Sequence, residues 1–106
     1  MPAYKQLIEI HRLNWNGILI EISYNPVWTS AAVFGEDLAH IEVRSIYPTD
    51  APLPITETGY RSHFLAKSIV DAAGGPVDYV SVWLETEKQN PHWLRQQEAL
   101  RQPMLF

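Results

Sequence analysis

The stretch PLPITETGYRSHF, positions 52–64, brings Glu57, Arg61 and His63 close together, and His40-x-Glu42 lies upstream. Side chains two apart on a strand share a face, so His40 and Glu42 form an imidazole–carboxylate pair. Joined by Glu57 or His63, they offer nitrogen and oxygen ligands for a metal, or a general acid and base with Arg61 as an anion partner. His40, Glu42, Glu57, Arg61 and His63 are therefore the candidate catalytic residues of a small metal-dependent or acid/base enzyme. The pattern falls short of a recognisable reaction. There is no HExxH, no DxDxDG loop, no paired CxxC, no glycine-rich phosphate cradle and no GxSxG elbow. No metal and no cofactor is expected. The same stretch also reads as the start of a helix. Ser62 or Thr58 would cap it, Gly59 would supply a special backbone conformation, and Glu57 would pair with Arg61 or Arg44. An anion could sit at such a helix start, but Glu57 opposes it. The stretch reads first as a device that locks a loop.

The elements that must hold these residues follow from periodicity. After a polar lead-in, GILIEISY (17–24) alternates as a half-buried strand, and Asn25-Pro26 reads as its end. VWTSAAVF (27–34) is the returning arm of a hairpin, and LAHIEVRSI (38–46) is the clearest strand. YPTDAPLPI, with Pro48, Pro52 and Pro54, is an extended loop. A helix is predicted from Ser62 to Ala73, stopped by Gly74-Gly75-Pro76. VDYVSVWLE (77–85) reads as a strand with Tyr79, Ser81 and Trp83 on its outer side. A last helix starts at Asn90-Pro91 and runs to about Gln102, with Trp93, Leu94, Gln97 and Leu100 as its inward stripe. The expected architecture is a small α+β domain: a mostly antiparallel sheet with helices on one face, in the order β-(β)-β-loop-α-β-α. Residues 1–101 make one domain and residues 102–106 a tail. On the outer sheet face Glu21 is expected beside Arg44, and Trp83 would be an exposed contact residue. An exposed Trp83 face would also serve a homodimer.

Composition sets the boundaries. The chain has 106 residues, one domain by length, with 46% hydrophobic and 19% charged residues, an ordinary globular mixture. Eight basic residues against twelve acidic ones give a net charge of −4, which argues against broad nucleic-acid binding. The absence of cysteine excludes disulfides and thiolate chemistry. No apolar run approaches the ~18 residues of a membrane span, and the opening residues lack a signal-peptide core, so a cytoplasmic protein is expected. The acidic balance leaves a further reading open: an inhibitor carried by a mobile element, anti-restriction or anti-CRISPR-like, that masks a basic surface through the polar sheet face and Glu36, Asp37, Glu85 and Glu87.

Two resemblances add to this. The tail QPMLF is similar to the short peptides by which bacterial replication and repair proteins bind the DNA sliding clamp. The resemblance implies Gln102 as the hydrogen-bonding anchor and Leu105 and Phe106 as the apolar plugs; Pro103 departs from the leucine common there. HIEVRSIYPTDAPLPITETGYRSHF with GGPVDYVSVWLE resembles a group of small uncharacterised proteins of proteobacteria and their plasmids, over roughly positions 12–106. That likeness implies a bacterial origin and no particular substrate. The leading expectation is a non-enzymatic protein-interaction module, tethered to the clamp through Gln102, Leu105 and Phe106.

Overall fold

The computed structural model describes residues 7–30 and 35–101. Among them, four strands form one antiparallel sheet in chain order, β1 (Glu9–Trp15), β2 (Ile18–Thr29), β3 (Leu38–Tyr47) and β4 (Tyr60–Ala66). Three helices follow: α1 (Lys67–Ala73), α2 (Pro76–Glu87) and α3 (Pro91–Arg101). The class is α+β, with the helices packed on one side of an open sheet. No described helix is long and apolar enough to cross a membrane.

Several elements differ from the sequence expectation, each for a local reason. The lead-in is strand β1, and Asn16-Gly17 turns it into β2 with both residues at positive φ, 49° and 82°. This is the backbone a two-residue hairpin demands, and Asn-Gly is its preferred sequence. Asn25-Pro26 does not end β2. The pairing with β3 shifts between Asn25 and Thr29, and the Asn25 side chain accepts the Val27 N–H at 3.1 Å. Pro26 falls in this irregular stretch, where its missing N–H costs no ladder bond. Residues 27–29 therefore continue β2 rather than starting a new arm, and residues 31–34 lie outside the described part.

Residues 60–66 form β4 and not the first turns of a helix. Their alternation matches the pairing with β3: Leu65 faces Ala39, His63 faces Ile41 and Arg61 faces Val43. Helix begins only at Lys67 and ends as expected on Gly74, at φ 103°. The next segment, expected as a strand, is helix α2. Pro76 sits at its first position, and the fully buried Val80 and Leu84 stand four apart, while Val82 is exposed. That is helical spacing, and the β-branched valines concealed it. The last helix lies where expected, with Asn90 accepting the His92 N–H at 2.8 Å. Its inward stripe shrinks to Trp93, because Leu94 and Leu100 are exposed.

The core lies between sheet and helices. Ile20, Ile22, Tyr24, Ala39, Ile41, Val43 and Leu65 supply the sheet side, and Val70, Val80, Leu84 and Trp93 the helix side. Leu53 and Ile55 plug it from the proline-rich loop.

Candidate functional site

The 52–64 stretch resolves into a locked loop followed by a strand. Gly59 sits at φ 80°, and a Cβ there would lie 2.7 Å from the Asp50 backbone, so neither the angle nor the space admits another residue. Its carbonyl accepts the Ser45 N–H at 2.8 Å, and the Ser45 hydroxyl donates to the Ala51 carbonyl at 2.7 Å. Thr56 Oγ1 donates to the Tyr60 carbonyl at 2.8 Å and accepts the Thr58 N–H at 3.2 Å. Of the two hydroxyls expected to cap a helix, Thr58 Oγ1 turns to the Tyr60 carbonyl at 3.4 Å within the loop and Ser62 belongs to β4.

From this loop β4 emerges with its side chains divided between the two sheet faces. Arg61 and His63 point to the helix side. His63 packs 4.6 Å from the Trp83 ring and 6.2 Å from Tyr79, and the Arg61 guanidinium lies 5.3 Å from the centre of Trp83. Arg61 also donates to the Ile55 carbonyl at 2.9 Å. Burial lowers the His63 pKa below its ordinary value, and the neighbouring Arg61 adds to this. Trp83, expected on the outer sheet face, therefore belongs to α2 and is half-buried against the inner face.

His40 and Glu42 point the other way, onto the face opposite the described helices. The five candidate catalytic residues thus fall into three places. His40 and Glu42 lie on one face and Arg61 and His63 on the other, while Glu57 sits in the loop, where His92 Nε2 meets it at 3.0 Å. Among the described residues no three His, Asp or Glu side chains come together as a metal site. Sequence spacing joined groups that the strand period of two separates. Gln102, Leu105 and Phe106 lie outside the described residues.

The open face carries a cluster that sequence reasoning missed. His40 stacks on Phe64, ring centres 4.4 Å apart and planes 22° from parallel, and Trp28 packs against both at 5.1 and 5.5 Å. Trp28 remains 47% exposed and Phe64 46%, so both keep half their surface for contact. The His40 Nε2 shares a 2.7 Å hydrogen bond with the Ser62 hydroxyl. Alongside runs a polar network. The Tyr60 hydroxyl donates to Glu42 at 2.8 Å, Arg44 lies 4.6 Å over the Tyr60 ring, and Arg12 pairs with Glu21 at 3.2 Å. The bond to Glu42 raises the Tyr60 pKa above its usual value, with burial adding to it. Glu21 and Arg44 are directly opposite across β2 and β3, as expected. The alternation in YRSHFLA was the signal for this face: it puts Tyr60, Ser62 and Phe64 together, whereas a helix scatters them.

Glu85 and Glu87, expected to meet a basic surface, belong to α2 on the helix side of the sheet. Glu85 accepts the Trp15 indole N–H at 2.8 Å and pairs with Lys88 at 2.6 Å; the Lys88 bond first, then the Trp15 bond, lowers its pKa.

A family model described as the KlcB third domain matches residues 8–93, from the start of the sheet into α3. The chain belongs to this family, which is plasmid-associated. No curated protein matches, and no solved structure matches.

Proposed function

We propose that this member of the KlcB third-domain family is a non-enzymatic protein-interaction module that meets its partner through the open face of its sheet. One observation carries the reading: Trp28, His40 and Phe64 stack into a half-exposed aromatic cluster on the face opposite the helices. Large aromatic rings held rigid by one another lose little entropy on binding and bury much area, which is the profile of an interface hot spot. The charges around them already have partners, so they form a polar rim that costs little to cover. The scattered acid/base groups support the non-enzymatic side of the reading. The test is capture from the native host with the wild-type chain and with Trp28→Ala/Phe64→Ala. Proteins retained by the first should be lost with the second. Identical capture by both would contradict the reading.

A second contact is supported by the end of α3. The described core closes at Trp93, and beyond it Leu94 and Leu100 are exposed. These exposed side chains lead toward the segment that resembles a clamp-binding peptide, and the second reading is a tail that grips a bacterial sliding clamp by Gln102, Leu105 and Phe106. Titration of purified clamp should show binding that Leu105→Ala/Phe106→Ala removes with the melting temperature unchanged. Binding that survives the double substitution would refute the tether.

A further inference from the structure

We infer that the open sheet face is self-complementary and that its partner is a second copy of this chain, the two sheets lying face to face with their helices outside. This deepens the reading of the open face as a contact surface, and rests on it.

Strand register carries the inference. One row across the sheet runs Arg12, Glu21, Arg44, Tyr60 from β1 to β4. A two-fold axis laid along the strands, midway between β2 and β3, reverses the order of each row and keeps its height. Glu21 then faces the partner's Arg44, and Arg44 the partner's Glu21. Arg12 falls over the partner's Tyr60, a cation above an aromatic ring. The next row, Ile10, Ser23, Glu42, Ser62, sets the Ser23 hydroxyl against the partner's Glu42, a donor against an acceptor. The row of His40 and Phe64 reverses in the same way, so His40 falls over the partner's Asn25 and Phe64 over the partner's β1 edge, and the two aromatic clusters lie at one end of the face on opposite sides of the axis.

Charge agrees with this arrangement. The face holds two arginines, Arg12 and Arg44, against two glutamates, Glu21 and Glu42, and so sums to zero, whereas the whole chain carries −4. A second copy can approach this side without the repulsion that the rest of the surface would impose. Size agrees as well. Four strands about 4.8 Å apart and seven residues of about 3.4 Å give a face of roughly 19 by 24 Å. Two such faces amount to about 900 Å² in projection, and side-chain relief brings the accessible area to about the 1,200 Å² at which specific interfaces begin. Aligned sheets pack within about 30° of parallel, which preserves the row pairing near the axis.

Sedimentation equilibrium tests this. The wild-type chain should show a reversible dimer. Glu21→Arg alone and Arg44→Glu alone each place like charges across the axis and should weaken the dimer at least about tenfold. An equimolar mixture of the two single variants makes both facing pairs opposite in sign again, and should recover a dimer. Circular dichroism checks that each variant is folded. Should a reversed charge prevent folding, Glu21→Gln reads the same contact as a smaller loss. A wild-type chain monomeric from micromolar to millimolar concentration overturns the inference, as does a dimer that both single variants leave intact or a mixture that stays monomeric. A monomer whose host captures still depend on Trp28 and Phe64 overturns the dimer and leaves the contact surface standing. A monomer without that dependence overturns both.

Discussion

The two faces of the sheet are built from neighbouring residues and end up in opposite trades. On the inner face His63, Tyr79 and Trp83 are wedged between β4 and α2; on the outer face His40, Phe64 and Trp28 make a similar group of rings with no described helix over it. Residues 63 and 64 are adjacent in the chain and lie on opposite sides of the sheet. Aromatic content alone therefore says nothing about role. What decides it is whether a helix closes over the rings: covered, they contribute to stability; uncovered, they remain half in water, which is the surface proposed above to meet a partner.

That contrast can be broken at its root or sharpened by degrees. The largest effect should come from Gly59, which sets how β4 enters the sheet and so which residues face each way. Gly59→Ala forces a Cβ against the Asp50 backbone at an unfavourable φ, and should cost about 3 kcal/mol or prevent folding, as read by urea denaturation. Leu84→Ala, at a fully buried position of the covered side, should cost about 3 kcal/mol through lost burial and a cavity. Phe64→Ala on the open side should cost only about 1 kcal/mol, because half the ring is already in water. Equal costs for the last two would erase the distinction between the faces.

Acid should also act through the covered side. The folded-state pKa of His63 is depressed, so the unfolded chain takes up the proton more readily. The stability His63 contributes is present above its ordinary pKa of 6.5, and is lost as pH falls through the lower folded value. His63→Gln should flatten that part of the stability–pH curve, measured as urea midpoints on either side of pH 6.5. The smallest effect has the opposite sign. The Tyr24 hydroxyl is buried without a hydrogen-bond partner among the described residues, and burial leads the causes that raise its pKa. Tyr24→Phe should leave the fold intact and raise stability by up to about 1 kcal/mol in the same assay.

How much of this was legible depended on which signal dominated each segment. The β3 alternation, the Asn90-Pro91 helix start and the Gly74 stop were readable because pattern and punctuation agreed. Residues 62–66 were misread because Phe64, Leu65 and Ile69 also fit a helical stripe, and only pairing with β3 decides between the two periods. Residues 77–85 failed for the converse reason: valine-rich alternation outweighed Pro76, which marks a helix start. Those two exchanges moved His63 and Trp83 to the inner face and brought Phe64 to His40. The site was therefore less legible than the fold class, since a slip of one residue moves a side chain from one face to the other.

The four tryptophans allow one spectrum to report on both faces, with Trp28 on the open side and Trp15, Trp83 and Trp93 packed on the helix side. In an indole ¹⁵N–¹H spectrum recorded from micromolar to millimolar protein, the Trp28 signal should shift or broaden with concentration while the other three hold still. Movement of Trp83 or Trp93 with a stationary Trp28 would contradict the account, because the surface that meets a partner would then lie on the wrong side of the sheet.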